Sequence, residues 1–166
     1  MSDYIGRGGV MGIAITLKEY LMDHGTSYQV IEHVRTNSAL ETSEVAHVPG
    51  DRLAKSILLG DEDRYLLAVI PATHRLEINK LSELVKHRLQ LITESEMAGA
   101  FSDCEIGAMP PVGEAYGIDT WVDPSLLDQP EIYFEAGDHQ ALIKMSGEDF
   151  RNLLKDSKQL LMSRHI

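Results

Sequence analysis

At 166 residues, with 43% hydrophobic and 25% charged side chains, the chain has the size and make-up of one globular domain that buries a full core without staples. Its single cysteine, Cys104, excludes an intrachain disulfide, and a reducing cytoplasm is the expected compartment. With 15 Lys and Arg against 26 Asp and Glu the formal charge is −11, which argues against a protein that grips DNA or RNA by general electrostatics, and no apolar stretch reaches membrane-spanning length.

Residues 1–12 hold four glycines and read as a flexible tail, with Met11 as an alternative start. From Ile13 the apolar positions Ile13, Leu17, Tyr20 and Leu21 fall at helical spacing and Gly25 stops the helix. Residues 27–34 alternate as an edge strand does. A short helix is expected over 42–47, capped by Thr42 and ended by Pro49 and Gly50. Two apolar strands follow, 53–59 and 65–70, joined by the Gly60–Arg64 turn as a hairpin. Leu81, Leu84, Val85 and Leu89 mark a helix with basic residues outside, and 89–93 and 94–100 read as a strand and a helix. Strands over 120–122, 131–134 and 141–145 precede a C-terminal helix over 150–161. About seven strands mixed with helices, without strict βαβ alternation, give one mixed α+β domain over 13–166.

Lys55 interrupts the apolar run Leu53 to Leu59. An ammonium in a buried strand requires a partner, a lowered pKa or a polar cavity, so its side chain either enters a ligand cleft or escapes along the surface. The second dense feature is Ile106-Gly107-Ala108-Met109-Pro110-Pro111-Val112-Gly113. Its prolines fix the backbone and its glycines permit close approach, which suits either a rigid loop with exposed N–H groups or a tight connection.

The sequence lacks a P-loop, a GxGxxG turn, paired-cysteine or HExxH zinc spacing, and a GxSxG elbow. It calls for no cofactor and no metal. Cys104 is either a nucleophile or a small buried hydrophobe.

In order along the chain, Glu32-His33, Lys55-Ser56-Ile57-Leu58-Leu59, Leu67-Ala68-Val69-Ile70-Pro71, the segment from Arg75 to Leu81, Gly107-Ala108-Met109-Pro110-Pro111 and Ile132-Tyr133-Phe134-Glu135-Ala136-Gly137 resemble the YbaK/prolyl-tRNA-synthetase-associated domain family. Ser56 stands where threonine is usual, Ala108 where a second glycine is common, and Asp103-Cys104 where a Gly-Tyr pair often stands. The resemblance implies a barrel-like mixed sheet ringed by helices and a freestanding hydrolase of wrongly charged aminoacyl-tRNA. Under it, Lys55 binds a phosphate or ribose oxygen of the terminal adenosine, and N–H groups of the Gly107 loop stabilise a tetrahedral oxyanion. His139 contacts substrate or orients the attacking water, His33 and Thr36 line the mouth, and Ala108, Met109, Pro110, Pro111, Val112 and Gly113 bind substrate, with Met109 and Val112 narrowing the pocket toward a small side chain.

The expected partner is the acceptor end of aminoacyl-tRNA, without membrane or DNA. The acidic balance then requires a local basic patch, with Lys80, Lys86, His87 and Arg88 or Lys155, Lys158 and Arg164 as candidates, or help from a synthetase or elongation factor. A non-catalytic module binding an aminoacyl or nucleotide-like ligand, or a hydrolase of small esters, is the competing expectation.

Overall fold

The strand Tyr65–Pro71, β3 in chain order, sets the architecture. Leu67 and Val69 enter the larger core while Leu66, Ala68 and Ile70 enter a smaller one on the opposite face, and all five are buried. A strand covered on both faces reads as a continuous apolar run, which is what the sequence presents here. The computed structural model describes residues 13–166; the expected tail over 1–12, with Met11, lies outside the described residues.

β2 (Leu53–Gly60) pairs antiparallel with β3 from Ala54↔Pro71 to Gly60↔Tyr65, as the hairpin reading required. In their turn, Asp61 Oδ1 accepts from the N–H groups of Asp63 and Arg64. The mixed sheet runs in the order β1 (Gln29–Glu32), β8 (Ala141–Ser146), β7 (Glu131–Glu135), β2, β3, β6 (Asp119–Val122), β9 (Lys158–Gln159), and β5 (Gln90–Leu91) joins the end of β2. Among the described residues it therefore has eight strands where about seven were expected, and its ladder runs from β1 to β9. A separate pair is formed by β4 (His74–Leu76) and β10 (Ser163–His165).

Among the described residues six α-helices cover the sheet: α1 (Ile15–Asp23), α2 (Ala39–Val45), α3 (Ile78–Val85), α4 (Glu94–Ala100), α5 (Pro124–Leu127) and α6 (Gly147–Leu153). α1 inserts Leu17 and Leu21 into the larger core, each fully buried and each worth roughly 1.5–3 kcal/mol. There Phe150 of α6 meets Phe134 of β7 with ring centroids 6.4 Å apart. Leu81 of α3 and Met162 close the opposite face.

Two expected elements are corrected. α2 begins at Ala39, and its cap is Ser38, whose hydroxyl accepts from the Glu41 N–H at 3.1 Å while Glu41 Oε1 accepts from the Asn37 N–H at 2.7 Å. Thr42, expected as the cap, is buried inside the helix. The C-terminal helix ends at Leu153 rather than near 161. No apolar residue occurs from Lys155 to Gln159, and Leu160 and the fully buried Met162 stand at strand spacing, so this segment forms β9 and β10 instead.

Candidate functional site

β7 and β2 lie parallel for two rungs only, Leu53↔Tyr133 and Ala54↔Phe134. Lys55 follows on one strand and Glu135 on the other, and where the ladder stops a cleft of about 360 Å³ opens with both residues on its wall. This is at the lower end of the roughly 300–1,000 Å³ typical of small-molecule pockets. Leu53, Ala39 and Met109 give the cleft an apolar side. The entry to α2, with Arg35, Thr36, Asn37 and Ser38, gives it a polar one, and Ile106, Gly107 and His139 close it.

Lys55 faces the cleft rather than escaping to the surface. It is half-buried, has no hydrogen-bond or ion-pair partner among the described residues, and burial pulls its ammonium below the usual lysine range. Beside it the Ser56 hydroxyl is buried and has no hydrogen-bond partner among the described residues. An unpartnered amine and an unpartnered hydroxyl in one cleft are suited to oxygen-rich ligands.

Glu135 is 13% exposed at its side chain and lies over His33, whose ring is 1% exposed. The Nδ1 of His33 donates to the Val34 carbonyl at 2.7 Å, so its Nε2 approaches Glu135 Oε1, 3.5 Å away, favourably only when one proton sits on either atom. Burial raises the Glu135 carboxyl, opposed by the charges of His33 and His139 and by a 3.3 Å bond from the Thr42 hydroxyl. Thr42 also meets the buried Thr36 hydroxyl. Helix α2 is thereby fastened to the floor of the cleft.

The loop over 105–109 is held from both ends. Glu105 pairs with Arg35 and its N–H donates to the Gly137 carbonyl at 2.7 Å, while Arg35 also donates to the Asp138 carbonyl. His139, in the left-handed region at φ 63°, donates from Nε2 to the Ile106 carbonyl at 2.6 Å, which leaves Nδ1 as an acceptor. Gly107 has φ +85°, and a Cβ there would stand 3.3 Å from the His139 ring. The Ala108 N–H is already used, donating to the Glu105 carbonyl at 3.0 Å; the N–H groups of Gly107 and Met109 have no acceptor among the described residues.

The structure brings together Lys55, Thr36, Gly107, Met109 and His139 on one cleft. His33 lies beneath the cleft wall rather than at its mouth, because its ring is packed under Glu135. Ala108, Pro110, Pro111, Val112 and Gly113 are buried off the cleft: Val112 packs in the larger core, and a Cβ on Gly113 would stand 2.4 Å from Thr120 Oγ1 and 2.6 Å from the Ile118 carbonyl oxygen. Their rigidity supports the loop from behind. Arg35, Asn37, Ser38 and Glu135 are cleft residues that the sequence reading did not single out as site residues, whereas Ser56, expected to line or adjoin the pocket, is among its lining residues. The Ser38-x-x-Glu41 capping spacing would have placed the first three at a helix entry.

Cys104 is a half-buried thiol. Burial, reinforced by the Asp103 charge and opposed by a bond with the Tyr116 hydroxyl, pushes it up to about 12. The first basic cluster is partly neutralised, with Lys80 3.9 Å from Glu77 and His87 Nδ1 2.9 Å from Asp61. Among the described residues no helix is long and apolar enough to cross a membrane.

A family model for the aminoacyl-tRNA editing domain matches residues 33–153, which include Lys55, Glu135 and His139. Among solved structures, a candidate trans-editing enzyme for prolyl-tRNA synthetase is 22% identical with a TM-score of 0.80, over 94% of this chain and 99% of that one. A hypothetical protein is 22% identical with a TM-score of 0.79, over 90% and 99% of the two chains. An epitope-grafting scaffold is 21% identical with a TM-score of 0.78, over 92% and 97%. No curated protein matches significantly. At such identities the solved structures establish the shared fold, and the match to the family model establishes membership: the chain belongs to the aminoacyl-tRNA editing domain family.

Proposed function

We propose that this protein is a trans-acting deacylase that hydrolyses the ester of mischarged aminoacyl-tRNA in the cytoplasm, with residues 13–166 as the working unit. The observation that carries the reading is the half-buried, unpartnered Lys55 ammonium in a cleft of small-ligand size. Such a group suits a phosphate or ribose oxygen of the terminal adenosine and would position the ester rather than attack it. The free N–H groups of Gly107 and Met109 suit a developing oxyanion.

With the Cys104 thiol held protonated and no serine elbow in the chain, water is the nucleophile. Its oxygen bonds to the ester carbonyl carbon and it yields one proton to the His139 Nδ1, aided by the neighbouring ribose hydroxyl. On collapse the carbon–oxygen bond to the ribose breaks, and that proton passes to the departing oxygen. Met109 and Leu53 narrow the acyl side toward small amino acids. A synthetase or elongation factor helps the acidic protein hold tRNA.

The test is deacylation of alanyl-, seryl- and cysteinyl-tRNA specific for proline, by the wild type and by Lys55→Ala. Selective hydrolysis that falls at least ~100-fold in the variant is expected. A folded wild type that hydrolyses no charged tRNA sinks the reading.

A further inference from the structure

We propose that Glu135 binds the α-ammonium group of the aminoacyl ester, so that the cleft selects esters with a free α-amine. The inference rests on the deacylase reading and names the group that the reading leaves unassigned. Lys55 and Glu135 follow the last rung of one parallel ladder and carry opposite charge, yet no ion pair joins them among the described residues. An aminoacyl-adenosine has the matching order of charge: a phosphate on the nucleoside side of the ester and an ammonium on the acyl side.

The other cations around the cleft do not take that place. Arg35 is committed to Glu105 and the Asp138 carbonyl. His33 is packed below the wall, and its Nε2 stands 3.5 Å from Oε1, an ion-pair approach outside hydrogen-bond geometry that leaves the cleft side of the carboxylate to a ligand. His139 spends its Nε2 on the Ile106 carbonyl. Among the described residues, Glu135 Oε1 is thus a buried oxygen with no hydrogen bond beyond the 3.5 Å approach of His33, and the other carboxyl oxygen has the 3.3 Å bond from Thr42. An acceptor left in that state costs free energy that a cationic donor from the ligand recovers. An amide-blocked amine, as in a peptidyl ester, brings no charge and more bulk, so the cleft rejects it.

The experiment measures binding of hydrolysis-resistant 3′-aminoacylamido-adenosines (alanyl, seryl, cysteinyl) against the same compounds lacking the α-amine, and in parallel turnover of the corresponding charged tRNAs. For at least one side chain the wild type is expected to bind the amine-bearing compound at least ~10-fold tighter than its deamino partner. Glu135→Gln loses that preference while still binding the deamino compound, and Glu135→Asp, which keeps the charge, retains part of it. The Asp variant and the wild-type pair decide the matter if the Gln variant does not fold. Equal binding of the two compounds by wild type, binding of neither, or a preference undiminished in Glu135→Gln overturns the proposal. An amine preference that depends on Glu135, without turnover of any tRNA, upholds Glu135 and overturns the deacylase reading.

Discussion

Lys55 and Glu135 follow the last rung of the β2/β7 ladder, on the side of the sheet shared with Leu53 and Tyr133, and no ion pair joins the two among the described residues. Two opposite charges held apart in a half-buried cleft are a poor arrangement for stability. They become a good one when a ligand of complementary charge lies between them.

The charge of Lys55 gives the first expectation. Burial disfavours the ammonium, so the folded protein loses this proton at lower pH than an exposed lysine would. Activity that needs the ammonium therefore declines as pH rises through that lowered value. The alkaline limb of kcat/KM, corrected for spontaneous ester hydrolysis, should lie below the ordinary lysine range near ~10.4. Arg35, Glu135 and His139 share the cleft, so the limb is assigned by substitution: in Lys55→Arg, any residual activity should lack it. An unchanged limb in that variant assigns it to another group.

Stability should move the opposite way from activity. Lys55→Met removes an unpaired, half-buried charge and fills its place with an apolar chain, so the variant should be inactive and about 0.5–1 kcal/mol more stable near neutral pH. The advantage narrows toward alkaline pH. Between the lowered folded value and ~10.4 the unfolded wild type binds more protons than the folded one, so wild-type stability rises with pH and the advantage of the variant shrinks. Urea unfolding at two pH values reads both effects, and a loss of stability in Lys55→Met contradicts them.

Cys104 should prove chemically quiet. With the thiol raised to about 12, the thiolate fraction at pH 8 is about 1 in 10,000, so alkylation of the native protein is slow and accelerates on unfolding. Cys104→Ala should keep deacylase activity within about 2-fold, because water is the nucleophile. Rapid native alkylation accompanied by loss of activity overturns this view of the site.

How much of this was legible in the sequence follows from what each residue must satisfy. β3 was readable because burial on both faces demands an unbroken apolar run, and Lys55 because an ammonium inside such a run demands a reason. Glu135 was not, since a charged residue ending the alternating run from Glu131 looks like an ordinary solvent-facing position; only the parting of β2 from β7 brings it to the cleft. The stretch from Pro110 to Gly113 looks like ligand-binding loop by composition, yet its prolines and glycines serve close packing. The C-terminal segment misled because Leu160 and Leu161 follow a helix that had already ended.

Two glycines of one loop should answer differently to the same substitution. Gly113→Ala drives a methyl group to 2.4 Å from the Thr120 hydroxyl and 2.6 Å from the Ile118 carbonyl, both in packed surroundings, and should cost about 1–3 kcal/mol of stability. The cleft lies elsewhere, so the protein that remains folded should keep its kcat/KM within about 3-fold. Gly107→Ala meets a different constraint: φ is +85° and the new methyl group reaches 3.3 Å from the His139 ring. The left-handed backbone costs about 1–2 kcal/mol, and relief comes by turning the loop or displacing the ring. Either movement disturbs the bond from His139 to the Ile106 carbonyl and re-aims the free Gly107 N–H, so kcat should fall about 10- to 100-fold while KM changes little. Chemical denaturation together with steady-state deacylation separates the two. If Gly107→Ala loses only stability, or Gly113→Ala loses only turnover, the oxyanion donors lie elsewhere than in the Gly107 turn.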